Sequence, residues 1–160
     1  MALNEHHYEI NINWTGNRGT GTSAYKAYGR DHTVTAVGLP VLLGSADKTF
    51  HGDRDRWNPE QLLLTALAQC HMLSYLHVAL KHGVVVTKYE DHATGTLILN
   101  PDGSGQFASA TLHPMIYVAD PATADLALSL HAEAASQCFI ARSVNFPVQH
   151  VPGLLSATQD

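Results

Sequence analysis

Between Gln61 and Leu80 the chain carries no formally charged side chain, while leucines, alanines, Cys70, Met72 and Val78 occupy several faces of any helix drawn through them. Asn58 offers an N-cap, Pro59 stands at the first helical position, Gln61 completes a capping box and Gly83 supplies a stop, so the pattern predicts a helix over 58–82. A helix this apolar on all sides has to be enclosed. It is long enough to reach across a bilayer. Gln69, His71, Ser74 and His77 interrupt its middle, however, and strand-like amphipathic segments flank it, so enclosure by protein is the expectation.

Residues 8–14 alternate apolar and polar side chains, the period of a strand with one buried face. Beyond Gly16, Gly19 and Gly21, residues 22–26 and 32–37 read as further β segments, and 38–57 as mostly a surface connection. After the long helix, residues 84–89, 92–100 and 107–118 suggest an antiparallel meander in which Pro114 marks an edge or a bulge. A second helix is expected over 122–138, with Leu126, Leu130 and Ala134 on its inward stripe, and a last short strand over 144–151. Strands, helix, strands, helix, strand is an α+β order, and 160 residues are enough for a single domain over residues 1–160.

Nine basic against fourteen acidic residues, a net charge of −5, leave too few cations for a phosphate-binding surface, so no nucleic-acid partner is expected. The first ten residues lack a basic segment followed by an apolar run, so the expected address is the cytoplasm, where two cysteines are free, metal-bound or catalytic rather than a structural bridge. His71, His77 and His82 lack i, i+4 spacing and neither CxxC nor HExxH occurs, so no metal site is expected.

Cys70 lies at mid-helix, where a thiol is most simply a small buried hydrophobe. To react it needs a cation brought in by tertiary structure, because apolar burial alone opposes ionisation. The chain has five arginines: Arg18, Arg30, Arg54, Arg56 and Arg142. Glu60, the only acid on the long helix, could hold one of them or could merely complement the helix dipole. Ten residues separate it from Cys70, a rise of about 15 Å with an offset of about 80°. If both serve one site, two chains have to contribute. Cys138, at the end of the second helix, could resolve a sulfenic acid or could be structural.

The segment Asn58-Pro59-Glu60-Gln61-Leu62-Leu63-Leu64, with Cys70 ten positions after Glu60 and Cys138 near the C-terminus, resembles the OsmC/Ohr family of osmotically inducible and organic hydroperoxide resistance proteins. Trp14-Thr15-Gly16 and the Gly19-Thr20-Gly21-Thr22 turn also fit its layout. The resemblance implies an α+β fold of antiparallel sheets around long central helices, in an intertwined homodimer with exchanged N-terminal strands. It implies a peroxidase for organic hydroperoxides, with hydrogen peroxide as a further substrate. Cys70 would be the peroxidatic cysteine, Cys138 the resolving cysteine and Glu60 the carboxylate that holds the arginine. Arg18 ranks first for that arginine, ahead of Arg56, Arg54 and Arg30. No cofactor is implied; the reductant would be a dithiol of lipoyl type, and no membrane is involved. Trp57 before the motif and Phe139 after Cys138, where the family usually has Thr and Pro, mark a divergent branch. Two other readings use the same residues: a non-catalytic redox sensor or lipophile-binding module, and an enzyme using His71 or His77 as general base.

Overall fold

The computed structural model describes residues 4–156. The chain divides into two compact units, residues 1–62 and 63–160. In the first, β1 (Asn11–Trp14), β2 (His32–Thr35) and β3 (Leu42–Gly44) form an antiparallel sheet in that order. The strand expected over 8–14 is shorter, and its apolar face is open: Ile12 is 65% and Trp14 42% exposed. Residues 22–26 are turns rather than a strand. Asn17 Oδ1 accepts from the Gly19 and Gly21 amides, and Arg30 donates to the Tyr25 and Tyr28 carbonyls while lying over both rings, which holds this segment curled. The expected surface connection over 38–57 contains β3 and a 3₁₀ turn, Lys48–Phe50.

Helix α1 runs from Pro59 to Lys81. Its start is the reciprocal capping box expected from the sequence: the Gln61 amide donates to Asn58 Oδ1 (2.8 Å) and the Asn58 amide to Gln61 Oε1 (3.3 Å). Its end is a Schellman motif, with Gly83 at φ 73°, Val84 N–H on the Ala79 carbonyl and Gly83 N–H on the Leu80 carbonyl.

The second unit holds two three-stranded sheets. One has the order β4 (Val86–Asp91), β7 (Pro114–Val118), β9 (Gly153–Ser156); the other β5 (Thr94–Leu99), β6 (Gly105–Leu112), β8 (Val148–His150). The meander is therefore corrected. β4 pairs antiparallel with β7 and β5 with β6, while β8 and β9 add in parallel to β6 and β7. The run 107–118 breaks at His113, whose amide donates to Asp91 Oδ1 (2.8 Å), and Pro114 opens β7, the middle strand of its sheet, where a first residue need not donate. Helix α2 (Ala124–Gln137) follows a 3₁₀ turn, Pro121–Thr123. It buries Ala127, Leu130, His131 and Ala134; Leu126, expected inside, is 41% exposed.

The core of this unit joins Tyr75, Val78 and Ala79 of α1 to Val84, to Ile116 and Val118 of β7, and to Ala127, Leu130 and Ala134 of α2. Only five of the 23 residues of α1 are buried: Leu67, His71, Tyr75, Val78 and Ala79. One chain thus does not supply the enclosure expected for this helix. Leu73 stays 62% and Leu80 75% exposed, beside Val85 at 63%.

Candidate active site

Cys70 projects from the middle of α1, and Cys138 is the C-cap residue of α2. Both are free thiols, and they lie near enough for the Cys70 side chain to raise the Cys138 thiol. After α2 the chain closes into a tight turn: Arg142 N–H donates to the Cys138 carbonyl (3.2 Å), Ser143 N–H to the Ile140 carbonyl (3.0 Å) and Ser143 Oγ to the Phe139 carbonyl (2.8 Å). That closure turns two amides onto the sulfurs, Ile140 N–H toward Cys70 Sγ (3.5 Å) and Ala141 N–H toward Cys138 Sγ (3.4 Å).

The two thiols differ. Cys138 is 1% exposed and Cys70 only partly buried. Burial, and next the hydrogen bond with Cys70, push the Cys138 thiol up to about 11. Near neutral pH Cys138 keeps its proton, and Cys70 is the sulfur open to a reagent.

Behind this pair lies a cluster of rings. His71 Nε2 and His131 Nδ1 share a hydrogen bond of 3.0 Å, the His150 ring lies 4.2 Å from His71, and Tyr75 stacks on His131 at 4.1 Å. Tyr75 Oη donates to the Ala127 carbonyl (3.0 Å). Burial, then the charges that His150 and His131 would carry, bring His71 down to about 3; burial, then His150, bring His131 down to about 4. His150 is lowered by burial against the opposing pull of Asp91. All three imidazoles are therefore neutral at neutral pH. His71 is fully buried, so it has no surface on which to meet a substrate. Among the described residues no group of three or more His, Cys, Asp or Glu is arranged to hold a metal ion. Sequence reading missed His131 and His150; Leu130 and Ala134 face inward as expected, but Ala127 takes the place of Leu126 and His131, next to Leu130, goes inside with them.

The arginines fall into different roles. Arg30 is committed to the Tyr25–Tyr28 turn, and Arg56 Nε lies 3.8 Å from Asp31 Oδ1. Arg54 lines a small pocket with Arg56 and Trp57. Arg18 is exposed on the turn after β1 and has no ion pair among the described residues. Glu60 stands in the first turn of α1, with Oε2 buried and lacking a hydrogen-bond partner among the described residues. A carboxylate oxygen in that condition calls for a donor.

A cavity of about 610 Å³ is lined by Leu73, Ser74 and His77 of α1 and by Ser136, Gln137, Phe139 and Arg142 around the end of α2. Leu73, Ser74 and His77 stand three, four and seven residues after Cys70 and so share its helix face.

Compared with known proteins, residues 51–151 match the model of the OsmC-like protein family. An uncharacterised protein of Bacillus subtilis, YmaD, is 24% identical over 151 residues, covering 91% of each chain. Among solved structures, an OsmC-like protein of unknown function from Vibrio cholerae is similar at a TM-score of 0.80 and 26% identity, over 94% of this chain and 100% of that one. An organic hydroperoxide resistance protein, OsmC, from Legionella pneumophila shares the fold at a TM-score of 0.66 and 20% identity, over 94% and 98%.

Proposed function

The chain belongs to the OsmC-like protein family, and on that premise we propose that it is a thiol-dependent peroxidase for organic hydroperoxides, acting in the cytoplasm in defence against oxidative stress. The α+β fold shared with hydroperoxide resistance proteins supports this reading. The observation that carries it is the pair itself: a partly buried thiol beside a fully buried, protonated one, each met by an amide of the same turn.

The thiolate of Cys70 attacks one peroxide oxygen, the O–O bond breaks, and the alkoxide leaves and takes a proton to become the alcohol. Cys70 is now a sulfenic acid, oxidised by two electrons. The Cys138 sulfur attacks it, its proton departs with the hydroxide as water, and a disulfide forms. An external dithiol of lipoyl type donates two electrons and two protons and restores both thiols. Adjacent amides of one turn, Ile140 and Ala141, reach the two sulfurs at 3.5 and 3.4 Å, so the thiols are neighbours before oxidation.

A second copy of the chain completes the site and covers the exposed Leu80 and Val85 surface. In this homodimer Glu60 Oε2, without a hydrogen-bond partner among the described residues, holds the guanidinium of Arg18, which has no ion pair among them. Arg18 stabilises the thiolate and the negative charge that develops on the peroxide.

The test is steady-state consumption of an organic hydroperoxide with a lipoyl dithiol as reductant. Wild type turns over repeatedly, Cys70→Ser not at all, and Cys138→Ser loses the disulfide-dependent cycle. Turnover by Cys70→Ser would overturn the proposal. A wild-type protein that binds the hydroperoxide without consuming it would favour the lipophile-binding reading.

A further inference from the structure

We propose that Arg142 is a catalytic cation of this site, supplied by the same compact unit as both sulfurs, and that it binds the leaving oxygen of the peroxide; the inference rests on the peroxidase reading. Four observations converge on it. The cavity lies along the face of α1 that presents Cys70, and Gln137 and Phe139, which flank Cys138, form its other side. Neither sulfur lines it, but a molecule seated there is one helical turn along α1 from Cys70 and meets both sequence neighbours of Cys138.

Among the described residues of that lining, Arg142 is the one permanently charged side chain. Its place is fixed, since its own amide is bonded to the Cys138 carbonyl in the turn that aims Ile140 N–H at Cys70 Sγ. Its charge is also uncompensated among the described residues. The nearest acid on α2 in sequence, Glu133, is taken by His82 (2.9 Å) and Lys81 (3.7 Å) and by a hydrogen bond from Gln137.

In the reaction, the sulfur of Cys70 gives an electron pair to the near oxygen and the far oxygen leaves as alkoxide. A guanidinium that shares the cavity wall with Leu73 and Phe139 meets that charge with two donors in a planar fork. The same positive field favours the thiolate of Cys70. Ile140 N–H adds a fixed dipole that no side-chain substitution removes.

The experiment compares wild type, Arg142→Gln and Arg142→Lys in two assays on the full chain. The first is the single-turnover rate of Cys70 oxidation by cumene hydroperoxide; the second is the pH dependence of Cys70 alkylation by iodoacetamide in a Cys138→Ser background. Arg142→Gln is expected to slow oxidation by at least about tenfold and to move the alkylation profile to higher pH, with Arg142→Lys recovering part of both. Thermal melting confirms that the exposed substitution leaves the fold intact. Wild-type rates and profile in Arg142→Gln would overturn the assignment, leaving the peroxidase reading standing. A wild type inert to peroxide, with the profile still moved by Arg142→Gln, would overturn the peroxidase step and retain the Arg142–Cys70 coupling.

Discussion

Acidification should destabilise this protein well above the carboxylate range, through His71 and His131. An unfolded histidine titrates near 6.5, whereas these two bind protons in the fold only near about 3 and about 4. The unfolded chain therefore binds more protons across that interval, and stability, fully present above about 6.5, falls as pH drops toward the folded values. Between about pH 8 and about pH 5 each ring forfeits about 2 kcal/mol, about 4 kcal/mol together. His150 acts in the same direction. Asp91, raised by burial, acts oppositely, but its influence belongs to the carboxylate range. The assay is urea unfolding at a fixed protein concentration and at several pH values, since association would otherwise shift the midpoint. His131→Asn, whose amide can still pair with His71 Nε2, should lose about half of the pH slope. A stability unchanged within about 1 kcal/mol between pH 8 and pH 5 would refute the reasoning.

Two further outcomes follow from the structure. Asn58→Ala removes the acceptor of the Gln61 amide and should cost about 1 kcal/mol in urea unfolding; a wild-type midpoint would show that the capping box carries no stability. Leu80→Glu places a charge on a residue that is 75% exposed in one chain and should convert the dimer to monomer in light scattering after size exclusion. A monomeric wild type would contradict the homodimer itself.

Both ends of α1 were legible in the sequence because capping is local: Asn58, Gln61 and Gly83 act within one turn of their own positions. The sheets were less legible because strand pairing depends on distant partners. Nothing in residues 107–118 announces that β6 and β7 enter different sheets; the break depends on Asp91 capturing the His113 amide. The inward face of α2 keeps Leu130 and Ala134 but takes Ala127 in place of Leu126 and adds His131, whose ring partner and hydrogen bond across the unit period alone cannot foresee. The cysteines were recognised as candidates, but their contact was inherited from family resemblance, since no local rule brings mid-α1 to the end of α2. Arg142 was visible only as one of five arginines until the turn after Cys138 and the adjoining cavity gave it a place.

The central claim, that Cys70 is oxidised and Cys138 resolves it, is tested most directly by intact mass after brief exposure of the reduced protein to an organic hydroperoxide. Wild type should lose two hydrogens, Cys138→Ser should gain one oxygen, and Cys70→Ser should keep its mass. A mass gain or loss in Cys70→Ser equal to that of the other forms, or an unchanged wild type, would contradict the account.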